Sequence, residues 1–208
     1  MKIAIIGATG RVGSRVATEA LNRNHEVTAI VRSASKIITP SIAIVEKDIM
    51  ELTEEDLEIY DVVVDAFGTP EKFSYLHVET AKHLISLLRN KEKPRLIIVG
   101  GAGSLWVDDT GTELCAVPEF PEAYKITATA MRDELVFLRS VSNVNWTFLS
   151  PSAEFAPGER TGHYRIGNDR LLVDQAGNSS ISMEDYAIAL VDEIEKPEHS
   201  KQRFTVGY

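Results

Sequence analysis

The stretch Met1–Ser14, MKIAIIGATGRVGS, decides the fold. Ile3 to Ile6 is an apolar run too short for a globular helix and rich in isoleucine, so it reads as a buried strand ending at Gly7. Glycines follow at Gly7, Gly10 and Gly13, and an amphipathic segment begins directly after them. Glycine lets the backbone turn tightly and approach a ligand with no Cβ in the way. The free N–H groups of the first helical turn then point at any anion placed there. A strand, a glycine turn and a helix in this order suit a pyrophosphate, although the spacing is GxxGxxG rather than the GxGxxG of the usual dinucleotide fingerprint. The alternative is an ordinary strand-to-helix turn whose glycines serve packing alone.

Outward from this turn, Val12, Val16, Ala17, Ala20 and Leu21 recur at helical spacing, and Glu26 to Val31 is a β-rich run. Two strands joined by a helix run parallel with a right-handed crossover. Where the second strand ends, an acid would accept from a ribose 2′-hydroxyl and an Arg would accommodate a 2′-phosphate. The chain has Arg32 and Lys36 there, with Arg11 inside the glycine turn. These three cations favour NADP over NAD, with NAD still possible; otherwise they are solvated surface charges. Ile42 to Val45 reads as a third strand. Asp48 after it is placed either to accept from an adenine amino group, with Ile49 on the ring, or to be a plain loop carboxylate.

The pattern continues to the C-terminus. Thr53 to Leu57 reads as one helical turn with Thr53 as N-cap and Asp56 closing a capping box. Val62 to Ala66 is a fourth strand with Asp65 inside an apolar run, followed by Phe67, Gly68 and Thr69. Residues 71–90 read as a long helix, and Leu96 to Val99 as a fifth strand. That strand ends in Gly100, Gly101, Ala102, Gly103 and Ser104, a second place where backbone can meet ligand. Residues 105–120 show no period; Trp106 there is either a lid aromatic or a loop anchor. Residues 121–140 read as a helix with Ala128, Met131, Leu135 and Leu138 buried, and Trp146 to Leu149 as a sixth strand. His163 to Ile166 and Leu171 to Asp174 read as a hairpin. Ser182 N-caps the last helix with Asp185 in a capping box, and Phe204 to Val206 closes the sheet. Strands alternating with helices mean an α/β fold with a doubly wound, mostly parallel sheet. One domain, 1–208, is expected, with 151–182 on the substrate side.

The 208 residues suffice for one proper core. The net charge of −9 argues against a broad nucleic-acid surface. A lone cysteine, Cys115, allows no internal disulfide. No apolar run is long enough to span a membrane, and a core strand from residue 2 leaves no room for a signal peptide, so a cytoplasmic protein is expected. The five histidines show no metal-ligand spacing. The expected partner is a small-molecule substrate, with no nucleic acid or membrane, and the protein a monomer or homodimer.

GATGRVG, the Arg32 cluster, Asp48-Ile49, VGGAGS and NWTFLSPS together resemble the atypical short-chain dehydrogenase/reductases. Within them the chain is most similar to the NAD(P)-binding group of flavin-reductase-like proteins, biliverdin-IXβ reductase and NmrA-like proteins, all with the Rossmann fold. The resemblance implies that Gly7, Thr9, Gly10, Arg11, Val12 and Gly13 belong to the pyrophosphate turn. Arg32 and Lys36 would take the 2′-phosphate, and Asp48 and Ile49 the adenine. Phe67, Gly68 and Thr69 would flank the ribose and nicotinamide, with Gly101 to Ser104 and Pro151 to Ala153 lining nicotinamide and substrate. Ordinary members use a Tyr and a Lys four residues apart, which shares one helix face. No Tyr here has Lys at that offset. Ser104, Tyr124 and Ser152 are the polar candidates that remain, either catalytic or structural. The resemblance therefore implies an NAD(P)H-dependent reductase acting on a flavin-like or other conjugated acceptor. Its rivals are a non-catalytic NADP(H) sensor like the NmrA-like regulators and, against the missing Tyr–Lys pair, a sugar epimerase or dehydratase.

Overall fold

Strand β1 (Lys2–Ile6) lies inside an eight-stranded sheet of the computed structural model, which describes residues 1–37, 39 and 42–208. After α1 (Arg11–Asn22) come β2 (Glu26–Val31), β3 (Ala43–Glu46), the single turn α2 (Glu54–Leu57), β4 (Val62–Asp65), α3 (Leu76–Leu88) and β5 (Arg95–Val99). Then follow α4 (Glu122–Arg139), β6 (Trp146–Ser150), β7 (Glu154–Ala156), β8 (Arg165–Gly167), β9 (Ser180–Ser182), α5 (Met183–Glu195) and β10 (Gln202–Gly207). The sheet order is β3-β2-β1-β4-β5-β6-β10-β8, and every pairing is parallel except β10 with β8. The protein is thus a single-domain, doubly wound α/β fold whose strand order reverses between β1 and β4, where such sheets bind ligands.

The period of two along each strand sorts the core into two layers. Ile3, Ile5, Val62 and Val64 face α1 and α5, where Val16, Ala20, Tyr186 and Leu190 are buried. Ala4, Ile6 and Val63 face the opposite way onto Leu84, Ile85 and Leu88 of α3 and Leu135 and Leu138 of α4. Both sheet faces are covered, so the strands read as unbroken apolar runs rather than as an alternation.

Three local expectations need correction. The helix expected over 71–90 is split, with a 3-10 turn at Glu71–Phe73 before α3. Ser74 is buried at the junction, with its hydroxyl 2.9 Å from that of Thr127 on α4, so the chain re-aims there. The hairpin expected around residues 167–169 does not form. Arg165–Gly167 adds instead to the open edge of β10, with Ile166 opposite Val206, and 171–174 form no strand. The capping box at Ser182 is half made. The Ser182 hydroxyl accepts from the Asp185 N–H at 2.9 Å, but the Asp185 carboxylate takes the N–H groups of Thr161 and Gly162 at 2.8 Å each. β7 and β9 pair in parallel as a separate ribbon; at three residues each they are too short to show a period. No helix among the described residues is long and apolar enough to cross a membrane.

Candidate functional site

The carboxyl ends of β1, β2, β4, β5 and β6 open into one cleft of about 1030 Å³. The glycine turn forms its middle. Gly7 has φ +74°, and a Cβ there would sit 2.4 Å from the Ala66 carbonyl oxygen. A Cβ on Gly13 would sit 2.3 Å from the Gly7 carbonyl oxygen. Gly13 is buried and does not line the cleft; it lets α1 press against the turn. Gly10 caps α1 with no side-chain hydrogen bond, and the first turn carries no acid. The N–H groups of Arg11, Val12 and Gly13 therefore have no acceptor among the described residues. Unpaired donors at a helix N-terminus, on a turn that only glycine can form, fit a pyrophosphate.

One end of the cleft is basic. Arg11, Arg32 and Lys36 line it, are exposed, and form no ion pair among the described residues. Lys47 joins them, 2.5 Å from Asp56; its place between β3 and the Asp48 turn gave no signal in the sequence. Asp48 lines the cleft while its Oδ1 accepts from the Met50 N–H at 2.9 Å, and Ile49 lies buried beside it. Thr9, Gly10 and Val12 continue the wall, followed by Phe67, Gly68 and Thr69 after β4. Gly101 and its neighbours after β5, and Pro151 to Phe155 after β6, line the far half.

The three hydroxyl candidates separate. Ser104 is buried outside the cleft lining, 3.4 Å from the Arg203 guanidinium. That guanidinium also reaches Ser150 at 3.3 Å and Asp169 at 2.5 Å, so Ser104 belongs to a structural network. Ser152 lines the cleft, but it is buried and donates to the Val206 carbonyl at 3.0 Å. Tyr124 lines the cleft and is 66% exposed.

Beneath the centre lies a group that sequence reasoning left unassembled. Asp65 ends β4 fully buried, its Oδ1 accepting from the Phe67 N–H at 2.9 Å. Burial pushes its carboxyl up to about 6. Glu134 of α4 is also buried, with Oε2 lacking any partner. Burial, and then the charge of Asp65, hold Glu134 well above the usual carboxylate range. His77 lines the cleft with its ring centre 5.5 Å from that of Phe67, the two rings edge to face, and burial depresses it to about 4, so it is neutral. Asp65 was visible as an acid in an apolar run; Glu134, between charged and apolar helix neighbours, gave no sign.

A doubly wound sheet with an anion-binding glycine turn at its reversal point defines a nucleotide-binding protein of the Rossmann type. The chain belongs to the NAD(P)H-binding family, whose model matches residues 7–197. It is 50% identical over 208 residues to the uncharacterized protein YwnB of Bacillus subtilis, covering 99% of this chain and 98% of that one. SP1627 of Streptococcus pneumoniae, described as a putative NADH-flavin reductase, superposes with a TM-score of 0.95 at 43% identity, covering 100% and 99% of the two chains. A putative epimerase from Bacteroides thetaiotaomicron superposes with a TM-score of 0.87 at 40% identity, covering 100% and 96%.

Proposed function

We propose that this protein is an NADPH-dependent reductase that delivers reducing equivalents to a planar conjugated acceptor such as an isoalloxazine. The observation that carries this reading is the continuity of one cleft. It runs from the cations Arg11, Arg32 and Lys36, past the glycine turn, to a chamber walled by Leu114, Val117, Phe120, Met131 and Phe155. The cations suit a 2′-phosphate and so favour NADPH. The N–H groups of the α1 N-terminus suit the pyrophosphate, and Asp48 and Ile49 the adenine. A bound reduced nicotinamide supplies the hydride itself. The protein's part is to orient the two rings and keep water from between them, which the apolar chamber does. The likeness to the flavin-reductase-like structure supports this reading. The missing Tyr–Lys pair and the engaged Ser104 and Ser152 hydroxyls count against an alcohol-type or epimerase mechanism.

The test is nicotinamide oxidation by the purified protein with flavins, biliverdin and quinones, NADPH and NADH run side by side. Turnover of any of these acceptors, faster with NADPH, is the expected result. Tight NADPH binding with no turnover on any acceptor would make the protein a cofactor-binding sensor instead.

A further inference from the structure

The cleft is electrically polarised along its length. Its basic end carries Arg11, Arg32, Lys36 and Lys47 around Asp48. At the other end the only formally charged lining residues, among those described, are Glu119 and Glu154. Glu119 comes from the segment leading into α4 and Glu154 from the start of β7. Both are exposed and neither forms an ion pair or hydrogen bond through its carboxylate among the described residues. Three cations on α4 and on the 3-10 turn packed against it are engaged elsewhere. Lys125 faces Glu122 at 3.6 Å, Arg132 lies 3.7 Å from Glu113 and 2.7 Å from Asp133, and Lys72 sits 4.7 Å from the Phe73 ring centre. None of the three lines the cleft. His77 is held neutral by burial.

The cleft does not stop at the strand ends: its lining continues to Leu114, Val117, Phe120, Met131 and Phe155. With a dinucleotide along the strand ends, the chamber between α4 and β7 is what remains. Its walls are apolar and aromatic, and its charge is negative only.

We infer that the second substrate is an uncharged planar ring system, and that Glu119 and Glu154 select against acceptors carrying phosphate or carboxylate groups. This rests on the reductase reading and narrows it. Riboflavin and flavin mononucleotide test it directly, because they share one ring system and differ by one phosphate. Binding is read by quenching of flavin fluorescence on titration with the protein saturated with NADP⁺, which permits no reduction. Turnover is read separately with NADPH.

The wild-type protein is expected to prefer riboflavin by about tenfold in both Kd and kcat/KM, the scale of two carboxylates acting on a phosphate through mostly aqueous surroundings. The variant carrying Glu119→Gln and Glu154→Gln should bring the two flavins to within about threefold, and added salt should narrow the wild-type ratio, because exposed charges are screened. Equal or better binding and turnover of flavin mononucleotide by the wild type overturns the inference and leaves the reductase reading standing. A wild-type preference unchanged by both the double variant and salt overturns the role of the two glutamates. Failure of every flavin, quinone and biliverdin to bind or react, with NADPH still bound, overturns both readings; turnover of biliverdin alone, which carries carboxylates, overturns the inference and leaves the reductase reading standing.

Discussion

Arg32 is exposed at the basic end of the cleft, forms no ion pair among the described residues, and precedes the 3-10 turn Ala34–Lys36 that carries Lys36. Arg32→Glu is expected to weaken NADPH binding by roughly 1–3 kcal/mol, through loss of a charge-assisted bond and added repulsion. NADH should be much less affected, because it lacks the phosphate; equal losses in parallel titrations would remove Arg32 from the 2′-phosphate site. Asp65 and Glu134 act on stability instead. Asp65 has its carboxyl raised to about 6, so the native state holds its proton more tightly than the unfolded chain does. Stability from this group is present below about pH 4 and is lost as the pH rises towards 6; the cost at neutral pH is on the order of 3 kcal/mol. Glu134 adds a cost of the same sign. Glu134→Gln, which cannot ionise, should therefore stabilise the protein at pH 7–8 by about 1–3 kcal/mol and gain little at pH 4. Denaturant unfolding at the two pH values decides it. His77, depressed to about 4, works oppositely, destabilising the fold as pH falls below its unfolded value near 6.5. His77 and Asp65 are present in both proteins, so the difference between them isolates Glu134.

At the scale of elements, the glycine turn and α1 behave as one unit. Gly13→Ala would place a methyl 2.3 Å from the Gly7 carbonyl oxygen. Backbone cannot yield as a side-chain tip does, so a net loss of about 1–3 kcal/mol is expected despite the better helix propensity of alanine. NADPH affinity should fall with it, since Gly7 is displaced; thermal unfolding and fluorescence titration read the two effects. The Arg203 network is the second such unit. Its guanidinium is almost fully enclosed and holds Asp169, which also takes Arg139 at 2.6 Å. Asp169→Ala should cost about 2–4 kcal/mol by leaving a buried charge without its partner, a loss visible in denaturant unfolding. Little of this network was legible beforehand. Arg203 and Asp169 lie 34 residues apart, and each alone reads as surface charge. The strands up to β6 were legible as short apolar runs, with Gly7, Gly100 and Pro151 closing β1, β5 and β6, and the helices by their spacing, except for the break at Ser74 before α3. Segments of three residues, such as β7, β8 and β9, carry no period, and only the long-range edges of β10 and of each other define them.

The molecule as a whole repeats that division. Strand–helix alternation and Gly7 to Gly13 were enough to read a doubly wound sheet with its ligand at the reversal point. That Gly7, Thr9 to Val12, Arg32, Lys36, Asp48 and Ile49 share one cleft was legible for the same reason, because they come in the segments after β1, β2 and β3. The far half of the cleft was not, because it is assembled from a loop, one face of α4 and the β7 ribbon, which meet only in the folded chain.

The unpaired N–H groups at the head of α1 have a consequence beyond affinity. Only the folded chain gathers them, so a dinucleotide binds the native state and not the unfolded one. At a ligand concentration of 100 times Kd, such binding adds about 2.7 kcal/mol to the folding equilibrium. The melting temperature should accordingly climb with NADPH concentration, and resistance to proteolysis with it. A protein built this way lasts longer where reduced nicotinamide is plentiful, so its own lifetime becomes a record of the cofactor supply.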